Sequence, residues 1–280
     1  MGASQAEKAK RFESLHRRPG TFVIPNPWDA GTARILEGLG FEALTTTSAG
    51  LAYTLGKSDG GATREETLAN AKAIVGATSL PVAADLENGY GDSPEAAAET
   101  IRLAAEAGLV GGSIEDASGA PGRPIYDFAH AVERVAAAAE AAHALPFPFT
   151  FVARAERMLR GGDELDDTIR RLRAFEAAGA DVLFAPGLRT AEQIRAVCSA
   201  VTRPVNVVVG LAGASFTVAE LAAMGVKRIS VGSALSRAAL SAFVGAAREI
   251  REHGTFGFAA GAISYADANA LAAGRRSPAA

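Results

Sequence analysis

Cysteine occurs once in this chain, at Cys198, so neither a disulfide framework nor a centre built from several thiolates is available. Histidine is nearly as scarce: His16, His130, His143 and His253 fall on or beside helical stretches, and no pair has metal-ligand spacing. No apolar stretch is long and uninterrupted enough to cross a bilayer. The opening MGASQAEKAKRF has no apolar signal core, and Ala6 breaks the myristoylation pattern. Charge of one sign is missing too. With a formal net charge of -3 and no long single-sign run, the chain lacks the field that draws nucleic acid or an anionic membrane. These absences leave a cytoplasmic enzyme as the default expectation.

What is present is apolar and regular. The 280 residues are 49% hydrophobic and 21% charged, enough for one large core. Short apolar runs alternate with alanine-rich helical segments: FVIP from Phe22, FEALTTT from Phe41, LPVAADL from Leu80, LVGGSIED from Leu109, FTFVARAE from Phe149, ADVLFAPG from Ala180, RPVNVVVG from Arg203 and VKRISVG from Val226. Most are apolar along their whole length, as strands buried on both faces are. Gly40, Gly108, Gly179 and Gly225 each close a helical pattern before a strand, where a left-handed residue ends a helix. Eight strand–helix units predict a single α/β domain over residues 1–280, a (β/α)8 TIM-type barrel with an extra C-terminal helix. A doubly wound sheet is the alternative, but the G-x-G-x-x-G loop it often carries is absent. Outside the units lie an amphipathic helix over 3–18, placed at the barrel bottom, and an extension from about 254 that ends in the frayed RRSPAA.

In such a barrel the chemistry sits at the C-terminal ends of the strands, and the charged residues collect there. Asp85 ends the third strand and is followed by Glu87, Asn88, Gly89, Tyr90 and Gly91; Glu115 and Asp116 end the fourth, and Arg154 and Glu156 the fifth. Asp59 follows the second strand, and Asn206 lies in the seventh. Hard oxygen donors of this kind suit Mg²⁺, with Mn²⁺ able to substitute. The bland reading is a salt bridge from Arg154 to Glu115 or Glu87. Gly89 and Tyr90 form either a plain loop or a backbone that approaches a ligand closely. Ser233 is either an N-cap or part of an anion site, Trp28 a packing anchor, and Cys198 a buried structural thiol.

With those residues in view, the chain resembles the isocitrate lyase/phosphoenolpyruvate mutase superfamily. The resemblance runs from PNPWDAGTARILEGLGF through TTTSAGLAYTLGKSDG, LPVAADLENGYGD and SIEDA to ARAE and ISVGSAL. It implies an Mg²⁺ site that holds a small 2-oxo carboxylate as its enolate, and a homo-oligomer, dimer or tetramer, that exchanges the last helix. It also implies roles: Asp85 as direct metal ligand, Glu87 and Glu115 through metal-bound water, Asp59 beside the reacting centre, and Arg154 on the substrate. Thr47, Ser48 and Ala49 would hold the substrate carboxylate, with Gly89, Tyr90 and Asn206 completing the binding residues.

The departures concern the groups that select the reaction. The stretch after Glu115, ASGAPGRPIYDF, has neither the cysteine and histidine of the lyase lids nor the lysine and asparagine of the phosphonomutases. Residues 117–125 are expected to form a mobile lid, with Tyr53 or Tyr126 as a proton source. The expected activity is a Mg²⁺-dependent lyase that cleaves a C–C bond, or decarboxylates, through an enolate. The alternatives are P–C bond chemistry of the phosphonopyruvate type and an oxo-acid binding protein without turnover.

Overall fold

The structure is a computed structural model that describes residues 2–120, 122–162, 164–211 and 215–274. Its centre is a barrel of eight parallel strands in the order β1-β10-β9-β8-β7-β4-β3-β2. They are β1 (Phe22–Ile24), β2 (Leu44–Thr45), β3 (Val82–Asp85), β4 (Gly111–Glu115), β7 (Thr150–Arg154), β8 (Val182–Phe184), β9 (Val205–Val208) and β10 (Arg228–Ser230), with β5 (Ala117–Ala120) and β6 (Arg123–Ile125) forming a separate antiparallel ribbon. Between the first and last strands of that order, the Thr45 N–H donates to the Pro25 carbonyl at 3.1 Å and draws the barrel nearly shut. All eight apolar runs found in the sequence form barrel strands.

The helices start where the sequence supplies caps. Ser4 with Glu7, Thr63 with Glu66 and Thr190 with Gln193 form capping boxes on α1 (Gln5–Arg17), α4 (Arg64–Ala77) and α8 (Ala191–Ala200). Ser93 caps α5 (Pro94–Glu106), with Pro94 at the first helical position. The N-terminal helix does close the barrel bottom. Phe12 is fully buried with Ala9, Leu15, Phe22, Ile24 and Val110. Gly111 makes room for it, since a Cβ there would stand 2.9 Å from the Phe12 ring. Burying one such ring contributes about 1.5–3 kcal/mol. Cys198 on α8 is half-buried against Gly225, and burial lifts its thiol to about 11.

The last barrel unit departs from expectation. Of the twenty residues of α10 (Ala234–His253), only Ser236 is buried. Leu240, Phe243, Val244 and Ile250 are exposed, and so are Phe256, Ile263 and Tyr265 beyond it. The chain then turns back: α11 (Tyr265–Ala272) reaches α2 (Ala30–Gly38), where Arg34 donates to the Ala272 carbonyl at 3.4 Å. RRSPAA lies outside the described residues. Among the described residues no helix is long and apolar enough to cross a membrane.

His16 is locked into the bottom plug, its Nδ1 donating to the Phe12 carbonyl at 2.9 Å and its ring set edge-on to Phe12 and Phe22. Nε2 is buried without a partner. Burial, aided by the nearby Arg228 charge, lowers its pKa from 6.5 to about 3. The unfolded chain therefore takes up a proton near pH 6.5 that the folded chain refuses until about pH 3, so stability falls as pH drops through that window. His16→Phe is expected to reduce the loss of unfolding free energy between pH 6.5 and pH 4.5, by up to about 1.4 kcal/mol per pH unit. Equal slopes for variant and wild type in urea titrations would show that His16 is not buried neutral.

Candidate active site

The β4–β7 ladder pairs Glu115 with Arg154, and the β3–β4 ladder pairs Asp85 with Ser113. These registers bring the acids of three neighbouring strand ends to one guanidinium. Arg154 reaches Asp85 Oδ1 at 2.8 Å, Glu115 Oε2 at 2.9 Å and Glu156 Oε1 at 2.7 Å, and lies 5.1 Å from the centre of the Phe184 ring. Arg160 adds a second contact to Glu115, at 3.3 Å. The salt-bridge reading of Arg154 therefore holds in this structure, with three partners rather than one. Burial pushes the Glu115 carboxyl well above the ordinary range, against the opposing pull of Arg154.

Beside this cluster, Thr47 caps α3 (Ser48–Thr54) through its hydroxyl, which accepts from the Gly50 N–H at 3.3 Å. Ser48 Oγ donates to Asp85 Oδ2 at 2.9 Å. Asp59 stands exposed on the rim, 3.4 Å from the same hydroxyl, rather than enclosed in a low-dielectric mouth. Two cavities meet here, sharing Ser48, Asp59, Arg154 and Leu159. The outer one, about 460 Å³, is lined by Glu87, Tyr90, Glu115, Glu156 and Arg160. The inner one, about 140 Å³, runs down the barrel between Thr47, Ala49, Asp85, Asn206, Arg228 and Ser230. Another cavity opens at the barrel bottom around Pro146, Phe147 and Phe149, but none of the strand-end acids lines it.

The loop after β3 is strained and tightly held. Glu87 and Tyr90 adopt left-handed backbone, with φ of 48° and 58°, a conformation that costs of order 1–3 kcal/mol for a residue with a side chain. Arg134, from α6 (Phe128–His143), fixes it by donating to the carbonyls of Asn88, Gly91, Asp92 and Ser93. Gly89 serves packing rather than a ligand: its φ is 84°, and a Cβ would stand 3.0 Å from Ala97 of α5. Tyr90 lines the outer cavity, its hydroxyl donating to Thr67 at 2.7 Å.

Other expectations change. Tyr126 donates to Asp92 at 2.6 Å and Tyr53 lies against α10, so neither lines the two mouth cavities. The stretch 117–125, expected as a mobile lid, holds the β5–β6 ribbon, with Ala117 and Ser118 buried and Ala117 and Gly119 edging the outer cavity; Pro121 lies outside the described residues. Ser118 Oγ ties the ribbon together by donating to the Arg123 carbonyl. Ser233 makes no side-chain cap and lines the inner cavity instead. Asn206 also lines that cavity, but both ends of its amide are engaged: Nδ2 donates to Ser230 at 3.1 Å and Oδ1 accepts from Arg228 at 2.8 Å. Asp116 turns away to Arg171 at 3.1 Å and accepts from the Glu156 N–H at 2.7 Å. Arg160 and Arg228 escaped the sequence reading, because the one follows its strand and the other begins its strand.

Comparison with known proteins gives a consistent picture. A model of the phosphoenolpyruvate phosphomutase family matches residues 12–251. A Burkholderia cenocepacia structure described only as a lyase/mutase is 58% identical, with a TM-score of 0.93 over 95% of each chain. The 2-methylisocitrate lyase of Escherichia coli is 29% identical over 82% of this chain and 81% of its own. The structure of an oxaloacetate acetylhydrolase with its product oxalate is 27% identical, with a TM-score of 0.86 over 96% of this chain and 94% of that one.

The donor set fits a divalent cation. Asp59, Asp85, Glu87, Glu115 and Glu156 face Arg154 and Arg160 at the mouth, with Arg228 deeper in the inner cavity, and Glu87 Oε1 is buried without a partner. Among the described residues no three acidic side chains converge as a ready-made chelate, in keeping with an ion that takes one or two carboxylates and keeps its waters. Burial, then Asp85 and Asp59, raises the Glu87 pKa from 4.5 to about 7. A carboxyl raised on folding costs stability as pH climbs from 4.5 to 7. In EDTA, Glu87→Gln should melt a few degrees above wild type at pH 8, and the gap should close toward pH 5. A gap independent of pH would mean that the buried charge is not what Gln removes.

Proposed function

The chain belongs to the isocitrate lyase/phosphoenolpyruvate mutase superfamily, and from that premise we propose that it is a Mg²⁺-dependent lyase acting on a small 2-oxo or 2-hydroxy acid. The observation that carries this reading is the strand-end cluster of Asp85, Glu115 and Arg154, which lies between the two adjoining mouth cavities. Asp85, with Glu87 and Glu115, would hold the ion. When bound, a divalent cation supplies Lewis-acid stabilisation for negative charge developing on a 2-oxo oxygen.

The chain's own groups do the rest. Ser48 and Ala49, in the first turn of α3, line the inner cavity, and their N–H groups, with the Ser48 hydroxyl that donates to Asp85, would hold a substrate carboxylate. Arg154 contributes fixed positive potential, and its three carboxylates hold its orientation. Tyr90 and the β5–β6 ribbon narrow the outer approach and limit water at the reacting carbon. Cleavage of a C–C bond, or decarboxylation, at C3 of a pyruvoyl unit asks no more than this. Transfer of a phosphoryl group asks for several free cations. Here Arg154 and Arg160 are committed to carboxylates and Arg123 is exposed on the ribbon, which leaves Arg228 as the one unpaired arginine among the described residues lining the two cavities and disfavours P–C chemistry. The exposed apolar face of α10 supports a homo-oligomer in which a second copy covers Leu240, Phe243 and Val244.

Incubation with C3-substituted 2-oxo and 2-hydroxy diacids, followed by proton and phosphorus NMR, should show release of pyruvate or glyoxylate and no conversion of phosphonopyruvate. EDTA should abolish turnover, Mg²⁺ or Mn²⁺ restore it, and Asp85→Ala lower it at least ~100-fold. Full activity after exhaustive chelation sinks the metal assignment, phosphonopyruvate turnover replaces the bond assignment, and no turnover of any substrate leaves a binding protein. Phe243→Asp should shift the mass measured by light scattering toward the monomer; an unchanged mass places the subunit contact elsewhere.

A further inference from the structure

Most buried arginines of this chain have their acceptors. Arg154 has three carboxylates, Arg171 has Asp116 and Asp167, and Arg134, although its Nε is buried without a partner, places both Nη groups on a set of loop carbonyls. Arg228 is different. It is 3% exposed and stands on β10 in register with Asn206 of β9. Nε donates to Asn206 Oδ1 at 2.8 Å, while Nη1 is buried with no partner. Among the described residues no carboxylate pairs with it. A guanidinium carries five N–H donors and a full charge, and a buried charge with neither counter-ion nor acceptors is strongly disfavoured. Burial lowers its pKa only to about 9, so it stays charged at neutral pH.

Its surroundings indicate what is missing. Arg228 lines the same inner cavity as Asp85, Ser48 and Arg154, with Asn206, Ser230, Asn26 and Thr45 as neutral neighbours. The cavity is therefore polarised along the barrel axis: acids crowd the outer end, and an unneutralised cation occupies the inner end. At about 140 Å³ it admits only a ligand of a few heavy atoms. A monocarboxylate seated at the mouth leaves Arg228 as it is. A ligand with a second carboxylate, directed inward, supplies the absent counter-charge and acceptors.

We propose that Arg228, aimed by Asn206, is the specificity-determining cation that receives the distal carboxylate of a dicarboxylic ligand. The proposal rests on the reading of the mouth as an oxo-acid site. It gives the chain a substrate class, the short diacid, and a positioning role for Asn206, whose carboxamide fixes Nε and so leaves the Nη groups for the ligand.

Isothermal titration in Mg²⁺ buffer tests it with two probes. Oxalate is short enough to engage the mouth alone, and malate, offered as each enantiomer, adds a distal carboxylate. For wild type, Arg228→Met and Arg228→Lys, the oxalate Kd is expected to stay within about twofold. The malate Kd should rise at least ~10-fold in Arg228→Met, as loss of a charge-assisted hydrogen bond produces, and recover in large part in Arg228→Lys. Arg228→Met should also melt above wild type without ligand, since it removes an unpaired buried charge; if that variant does not fold, Arg228→Gln carries the same comparison. Malate affinity unchanged in the neutral variant, or equal loss for both probes, overturns the proposal. Failure of oxalate to bind wild type instead overturns the reading of the mouth.

Discussion

The register between β4 and β7 governs the rest of the mouth. Placing Glu115 opposite Arg154 fixes a buried guanidinium against a buried carboxylate, and Asp85 and Glu156 converge on the same guanidinium, with Ser48 and Arg160 as their further partners. Removing one member of such a pair costs about 3–5 kcal/mol, because the partner's charge stays buried. The packing behind the cluster is organised to the same end. Asp116 takes Arg171 and the Glu156 N–H, so the backbone that carries Glu156 is anchored from outside the barrel. Arg134 does the same for the loop that carries Glu87. Two of the acidic segments, those that carry Glu156 and Glu87, are thus held from one layer out.

That division between inward and outward residues explains what was legible in the sequence. The eight strands could be read, because runs such as VAAD and TFVAR are mostly apolar, with charge only at their last residue, and glycines punctuate the units. The acids at strand ends could be read, because the barrel puts strand ends at one face. Their directions could not. Glu115 and Asp116 are neighbours of the same chemistry, yet one meets Arg154 and the other Arg171. Strand pleating sends consecutive side chains to opposite faces, and which face is inward is settled only by register. Gly89 shows the same limit: a glycine that lets a helix approach and one that lets a ligand approach look identical in sequence.

Arg228 was illegible for a further reason. It begins its strand, where the barrel rule places packing rather than chemistry. Strand tilt and shear alter that expectation, since following the ladder from Arg154 through Phe184 and Asn206 to Arg228 descends the barrel while circling it. A residue at a strand start thus reaches the floor of a cavity whose rim is made of strand ends. The functional surface of this barrel is a helical ramp rather than a flat ring.

The ramp carries a charge gradient, and the gradient bears on how one superfamily frame supports different reactions. On the proposed reading the acidic rim would hold an ion and the atoms next to it, and it would constrain the bond to be broken very little. Selection among substrates has to come from groups that meet the remainder of the ligand. The ribbon above the mouth brings small residues, Ala117, Gly119 and Ala120, where a polar side chain would be needed to recognise a substituent from outside. The barrel interior brings Asn26, Asn206, Arg228 and Ser230, a polar set in a place that apolar residues usually fill. Polar groups buried there cost stability unless something satisfies them. With the proposed role of Arg228, their presence beneath a ribbon of small residues would move substrate recognition from the loops above the barrel to its interior, and would leave the ribbon to shape access.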